Sequence, residues 1–194
     1  RADGDHGLVH RIHVAALTFL ARTHSCDGGN GLEEGVTLGP LINAGALEKV
    51  EAHIHDAQSK GARLVCGGNR HALGGTFFQP TVLADVTTDM RVAREETFGP
   101  LAPVFRFSSD DEAIAMANDT DYGLHASVFT SNVRSAHLAS RMLRAGTVSV
   151  NCYSEGDMTT PFGGYGLSGF GGRDNGVHAH EQYTETKTIW LDLS

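Results

Sequence analysis

Glu95-Glu96-Thr97-Phe98-Gly99-Pro100 is the stretch whose residue types come nearest to a binding function. Two carboxylates precede an aromatic, a glycine and a proline, so the chain turns sharply where a charge and a flat face are presented. An ionised carboxylate accepts hydrogen bonds, and its two oxygens suit two adjacent hydroxyls of a sugar. A phenyl ring beside it can cover a flat heterocycle. A solvated turn accounts for the same residues equally well.

Other spacings carry less. Gly164-Tyr165-Gly166-Leu167-Ser168-Gly169 matches G-x-G-x-x-G, and Glu185 lies about where a ribose-binding acid would sit. That fingerprint needs a strand ending at its first glycine and a helix opening at its third. Here the nearest expected strand ends near Asn151, Pro161 intervenes, and FGGRDNGVHAHE follows. Six of the 24 glycines fall between Gly163 and Gly172, so the match is cheap. A loop packing its backbone closely against a neighbour is the expectation. His6, His10 and His13 can share a helical face, but no carboxylate or cysteine completes a metal site. His53/His55 are two apart, a spacing that does not converge on a helix, and His178/His180 lie in a polar segment without further ligands. Asn118-Asp119-Thr120 is a formal glycosylation sequon without a signal peptide. Cys26, Cys66 and Cys152 form no disulfide framework, zinc cluster or evident nucleophile; Cys152 alone, after an expected strand end, is near a plausible site.

The elements that must position these residues read as α/β. The 194 residues suffice for one buried core, 40% are hydrophobic and 20% charged. A net charge of -8 with no basic run excludes a phosphate-tracking surface, so no nucleic acid is expected. No apolar run approaches a membrane span, and the sparse cysteines suit a reduced, cytoplasmic setting. Leu47, Val50, Ile54 and Ala57 recur at helical spacing before Gly61, predicting a helix over 44–59. Ser109 with Glu112 has capping-box form and predicts a helix over 109–117. A third helix is expected over 131–145, burying Leu138, Met142 and Ala145. Strands are expected near 62–66, 101–107, 126–129 and 147–151, with a further extended run from Phe77 to Val82 around Pro80. Strands alternating with helices predict a mostly parallel sheet. Residues 1–36 are the least organised, 37–183 form the main domain portion, and 184–194 read as a terminal strand. Arg1 rather than Met opens the chain, and a piece of something longer is the expectation.

EETFGPLAPVFRF, followed by DEAIAMANDTDYGLHASVF, resembles the aldehyde dehydrogenase superfamily. So do TLGPLI, GGTFFQPTVL, and PFGGYGLSGFGGRD with YTETKTIW, together covering about Gly31 to Leu193. The middle is most similar to succinate-semialdehyde dehydrogenases, whereas Val150 to Asp157 is closer to members that oxidise amine-derived aldehydes. The resemblance implies an aldehyde dehydrogenase-like catalytic-domain segment that uses NAD or NADP and a small aldehyde. It implies that Glu96 holds the nicotinamide-ribose hydroxyls and that Phe98 packs near the nicotinamide. It places Ser154 beside the substrate, supported by Asn151 and Cys152, and Phe162 in the aldehyde pocket. The strand Lys187 to Leu191 corresponds to the family's oligomerisation arm, implying a homo-oligomer.

The family's reaction uses a cysteine thiolate, a glutamate-activated water and an oxyanion site. The resemblance places these residues and the dinucleotide-binding fold N-terminal to this segment, and none of the three cysteines corresponds to the nucleophile. Residues 1–30 are expected to fall outside the resemblance. Gly166 stands where the family commonly has Lys, and Gly172 is an extra glycine before Arg173. The leading expectation is therefore a partial aldehyde dehydrogenase that is inactive alone. The alternatives are a non-catalytic oligomerisation or interaction module and a pseudoenzyme with part of a cofactor pocket.

Overall fold

The computed structural model describes residues 28–153 and 156–194. His6, His10, His13, the apolar run Val14 to Leu20, Cys26 and Ser154 lie outside the described residues. Two compact units divide between Arg106 and Phe107.

Among the described residues the first helix of the first unit is α1 (Ala44–Ser59). Asn43 caps its start, the side-chain oxygen accepting from the Ala46 amide at 2.9 Å. Leu47, Val50, His53, Ile54 and Ala57 form its buried face. At its end Gly61 takes φ +101, a left-handed turn that glycine adopts without a Cβ penalty. The Gly61 amide then donates to the Gln58 carbonyl and the Ala62 amide to Ala57, closing a Schellman cap.

Strands β1 (Arg63–Cys66) and β2 (Thr81–Ala84) pair antiparallel, and β2 pairs parallel with β3 (Leu101–Pro103). The central strand β2 is the most buried, with Leu83 at 0% exposure. The run expected around Pro80 therefore becomes a strand only after it, where every amide can join a ladder. The strand expected over 101–107 is cut to three residues, since Pro103 lacks an N–H and Asp85, opposite its end, turns at φ +59. A short helix α2 (Arg91–Arg94) links β2 to the acidic loop. One apolar cluster joins Ala57, Ala62, Leu83, Val86, Met90 and Val92. A second joins Leu47, Val50, Ile54 and Phe78.

The second unit holds α3 (Asp110–Asn118), β4 (His125–Val128), α4 (Val133–Met142) and β5 (Thr147–Val150). Ser109 accepts from the Glu112 amide as expected, while Glu112 reaches one residue further back, to the Ser108 amide at 2.8 Å. Strands β4 and β5 are parallel, His125 opposite Thr147. The parallel pairings expected from the strand–helix alternation are thus present. They lie in two separate sheets, the larger of which also carries the antiparallel β1–β2 pair.

Helix α4 is shorter than 131–145 because Leu143 leaves helical geometry at ψ 127. Leu138 and Met142, expected to be buried on it, are 39% and 54% exposed. All the buried hydrophobic side chains among the described residues belong to the first unit. Among the described residues, 184–194 pair with no strand, and Ile189, Trp190 and Leu191 stand exposed there. Among the described residues no helix is long and apolar enough to cross a membrane.

Candidate functional site

The acidic loop runs from the end of α2 to β3. Glu95, Thr97 and Gly99 are the anchored set. Arg91 grips Glu95 in a two-pronged contact, both nitrogen–oxygen distances 2.9 Å. His53 on α1, with no solvent exposure, places Nε2 3.1 Å from Glu95 Oε2 and Nδ1 2.9 Å from Thr97 Oγ1. Arg91 first and His53 second stabilise the ionised carboxylate and hold Glu95 at a pKa of about 2. Gly99 lies against Val50, and the Pro100 carbonyl accepts from the Thr81 amide at 2.8 Å.

Glu96 and Phe98 are the intervening, exposed residues. Glu96 is exposed, and its carboxylate has no hydrogen-bond or ion-pair partner among the described residues. Phe98 is 82% exposed and adopts φ +50, a left-handed conformation that is uncommon for a residue with a bulky side chain. Both side chains are therefore exposed on a loop whose flanking residues are fastened. A free carboxylate and an uncovered phenyl fit a sugar diol and a flat ring in chemical type.

Phe162 belongs to the second unit, half-buried, in a two-way backbone bridge with Asp174 at 2.7 Å in each direction. Asn151 follows β5 at φ +57 and clasps Thr130, accepting from its amide at 2.8 Å and donating to its carbonyl at 3.0 Å. Cys152 is exposed, and Tyr153 meets His125 edge-on at 5.3 Å.

The glycine-rich run is no dinucleotide fingerprint. Gly166 to Ser168 make a single 3-10 turn, and the Leu167 amide donates to Asp121 at 2.8 Å. Gly166 has φ +59, with its missing Cβ facing the Asp121 carbonyl, so the run serves close backbone packing as expected. Asn118, the formal sequon residue, spends its side chain on the Met142 carbonyl and the Arg144 amide, both at 2.8 Å.

The anchoring roles of His53, Arg91 and Thr97 are what sequence reasoning missed. A signal was present: His53 continues the 47–50–54–57 stripe, and Arg91 precedes Glu95 by four. A polar ring on a buried stripe must find partners.

The sequence profile of the aldehyde dehydrogenase family matches residues 9–189. The chain belongs to that family. The match begins inside the stretch 1–30, which was expected to fall outside it. The chain is 51% identical over 166 residues to an aminoacetaldehyde dehydrogenase of Pseudomonas aeruginosa, covering 86% of this chain and 33% of the relative. A crystal structure of succinate-semialdehyde dehydrogenase from Burkholderia pseudomallei superimposes with a TM-score of 0.85 at 45% identity, covering 89% of this chain and 36% of that one. The NAD+ complex of an aldehyde dehydrogenase from Bacillus cereus does so at 0.88 and 36% identity, covering 95% and 38%. The chain thus spans about a third of the length of the curated relatives it matches.

Proposed function

We propose that the chain serves as the C-terminal catalytic-domain portion of an NAD(P)-dependent aldehyde dehydrogenase, oxidising a small aldehyde to a carboxylic acid. The observation that carries this is the pair Glu96 and Phe98, unpartnered among the described residues and exposed on a loop whose flanking residues are fastened. Glu96 would accept from the two hydroxyls of the nicotinamide ribose, and Phe98 would face the ring. When bound, the nicotinamide supplies the hydride acceptor. The chain's own task is orientation, since a displacement of about 1 Å at the reacting centre can cost on the order of 100-fold in rate. Phe162 and Ser154 are assigned to the aldehyde pocket, and the relatives' names favour a small aldehyde bearing an amine or an acid group.

Residues 37–183 form the partial catalytic domain in this reading, and 184–194 the arm through which copies of the protein pair. The exposed Ile189, Trp190, Leu191 and Leu193 support that arm. The same tail favours a second reading, an interaction module without catalysis. A cytoplasmic setting goes with either.

The test uses a whole polypeptide that joins this chain to the family's N-terminal portion. Glu96→Gln keeps the shape and removes the charge, and it should lower kcat on the order of 10- to 100-fold through poorer nicotinamide placement. Unchanged kcat would argue against the ribose role. The 194-residue chain mixed with NAD and an aldehyde should show no turnover, and turnover above background would overturn the assignment of the nucleophile outside it.

A further inference from the structure

We propose that His53 is a positioning residue for the loop that displays Glu96 and Phe98, acting through the two neighbours it grips, Glu95 and Thr97. The inference deepens the functional reading above and rests on it for its kinetic arm only.

His53 sits on the buried stripe of α1, where packing alone would be met by an apolar side chain. An imidazole there costs desolvation unless both nitrogens are bonded. Both are, and both partners lie in the acidic loop, 42 and 44 residues further along the chain. A carboxylate only accepts, so Nε2 is the donor toward Glu95. In the neutral ring Nδ1 then accepts from the Thr97 hydroxyl, which fixes that side chain as well. One ring therefore clamps the residues on either side of Glu96. Arg91 closes the other side of Glu95, so the clamp cannot swing about that carboxylate.

Glu96 has no side-chain partner among the described residues. Its direction is set by the backbone between residues 95 and 97, and the same backbone enters the left-handed turn at Phe98. A loop that must hold a free carboxylate still, without touching it, has to be held at the flanking positions. His53, rather than any contact to Glu96 itself, supplies that restraint.

The test compares three variants. His53→Leu removes both bonds at similar volume. His53→Gln keeps a donor toward Glu95. Thr97→Val removes the loop-side partner and leaves the buried ring in place. On the full 194-residue chain, 15N order parameters at Glu96, Thr97 and Phe98 should fall from the rigid range near 0.85 toward 0.6 or below in His53→Leu and in Thr97→Val. Those of the α1 residues should be unchanged in Thr97→Val, and His53→Gln should recover part of the loss. In the whole polypeptide the KM for NAD should rise about tenfold with the aldehyde KM unchanged. His53→Leu combined with Thr97→Val should be no worse than His53→Leu alone.

Retained order at 96–98 in Thr97→Val, with cofactor KM unmoved, overturns the proposal even if His53→Leu fails to fold. A harmless Glu96→Gln beside a loosened loop would sink the ribose reading and leave the positioning role standing. A damaging Glu96→Gln beside silent His53 and Thr97 variants would do the reverse.

Discussion

Gly99→Ala should destabilise the first unit by a specific collision. A methyl on Gly99 would stand 2.5 Å from Cγ2 of Val50, well inside ordinary contact distance. Val50 has no solvent exposure and packs with Leu47, Ile54 and Phe78. As a β-branched residue in a helix it holds essentially one rotamer, so it cannot swing aside. The loop has to move instead, at about 1–3 kcal/mol for overpacking of this kind. For a chain of this length that is roughly 2–4 °C of Tm per kcal/mol, read by thermal unfolding. Val50→Ala removes two carbons, each worth about 0.8 kcal/mol, plus a cavity term. Joined to Gly99→Ala, it vacates the space that the new methyl needs. The double variant should thus be less destabilised than the sum of the singles by about 1 kcal/mol or more. Because Gly99 lies next to Phe98, the single variant should also raise the cofactor KM of the whole polypeptide. An unchanged Tm in Gly99→Ala, or strict additivity in the cycle, would refute the packing argument.

Phe98→Asn should raise stability by about 1 kcal/mol, because Asn tolerates the left-handed region and the exposed ring loses little burial, while cofactor binding weakens. A lower Tm would show that the conformation is not strained. Glu95 has a folded-state pKa of about 2 against an ordinary 4.5, so its contribution is complete above pH 4.5 and is lost as pH falls from there through 2. Acid unfolding of Arg91→Gln should show a smaller loss over that window, and parallel curves would remove Arg91 as the leading cause. The exposed tail, with Trp190 at 92% exposure, should drive self-association at micromolar concentration. Truncation after Tyr183 should reduce it by light scattering, and a clean monomer of the intact chain would contradict the expectation.

Local chemistry made much of this protein legible before its coordinates. The Asn43 cap and Gly61 stop bound α1 at 44–59, the range its apolar period predicts, because capping and amphipathicity act within a few residues. The Ser109–Glu112 start of α3 and the strand at 147–150 follow from equally short-range preferences. The motif ending at Pro100 marked a charge and a ring at a turn, while the choice of Glu96 and Phe98 within it came from the resemblance to aldehyde dehydrogenases. The glycine run was also readable as packing, for want of a strand before it and a helix after it.

Long-range contacts decided the remainder. The length of β3 depends on Asp85 turning just past the end of β2, and the exposure of Leu138 and Met142 on what stands opposite α4, neither of which periodicity records. The tail at 184–194 has strand-forming residues, but a ladder needs a partner, and that is a property of neighbours rather than of sequence. The role of His53 is the sharpest instance. Its type and position mark it as a buried polar residue in need of bonds. That those bonds reach Glu95 and Thr97 was settled by the packing of α1 against the loop more than forty residues away, because folding alone brings an imidazole within 3.1 Å of that carboxylate.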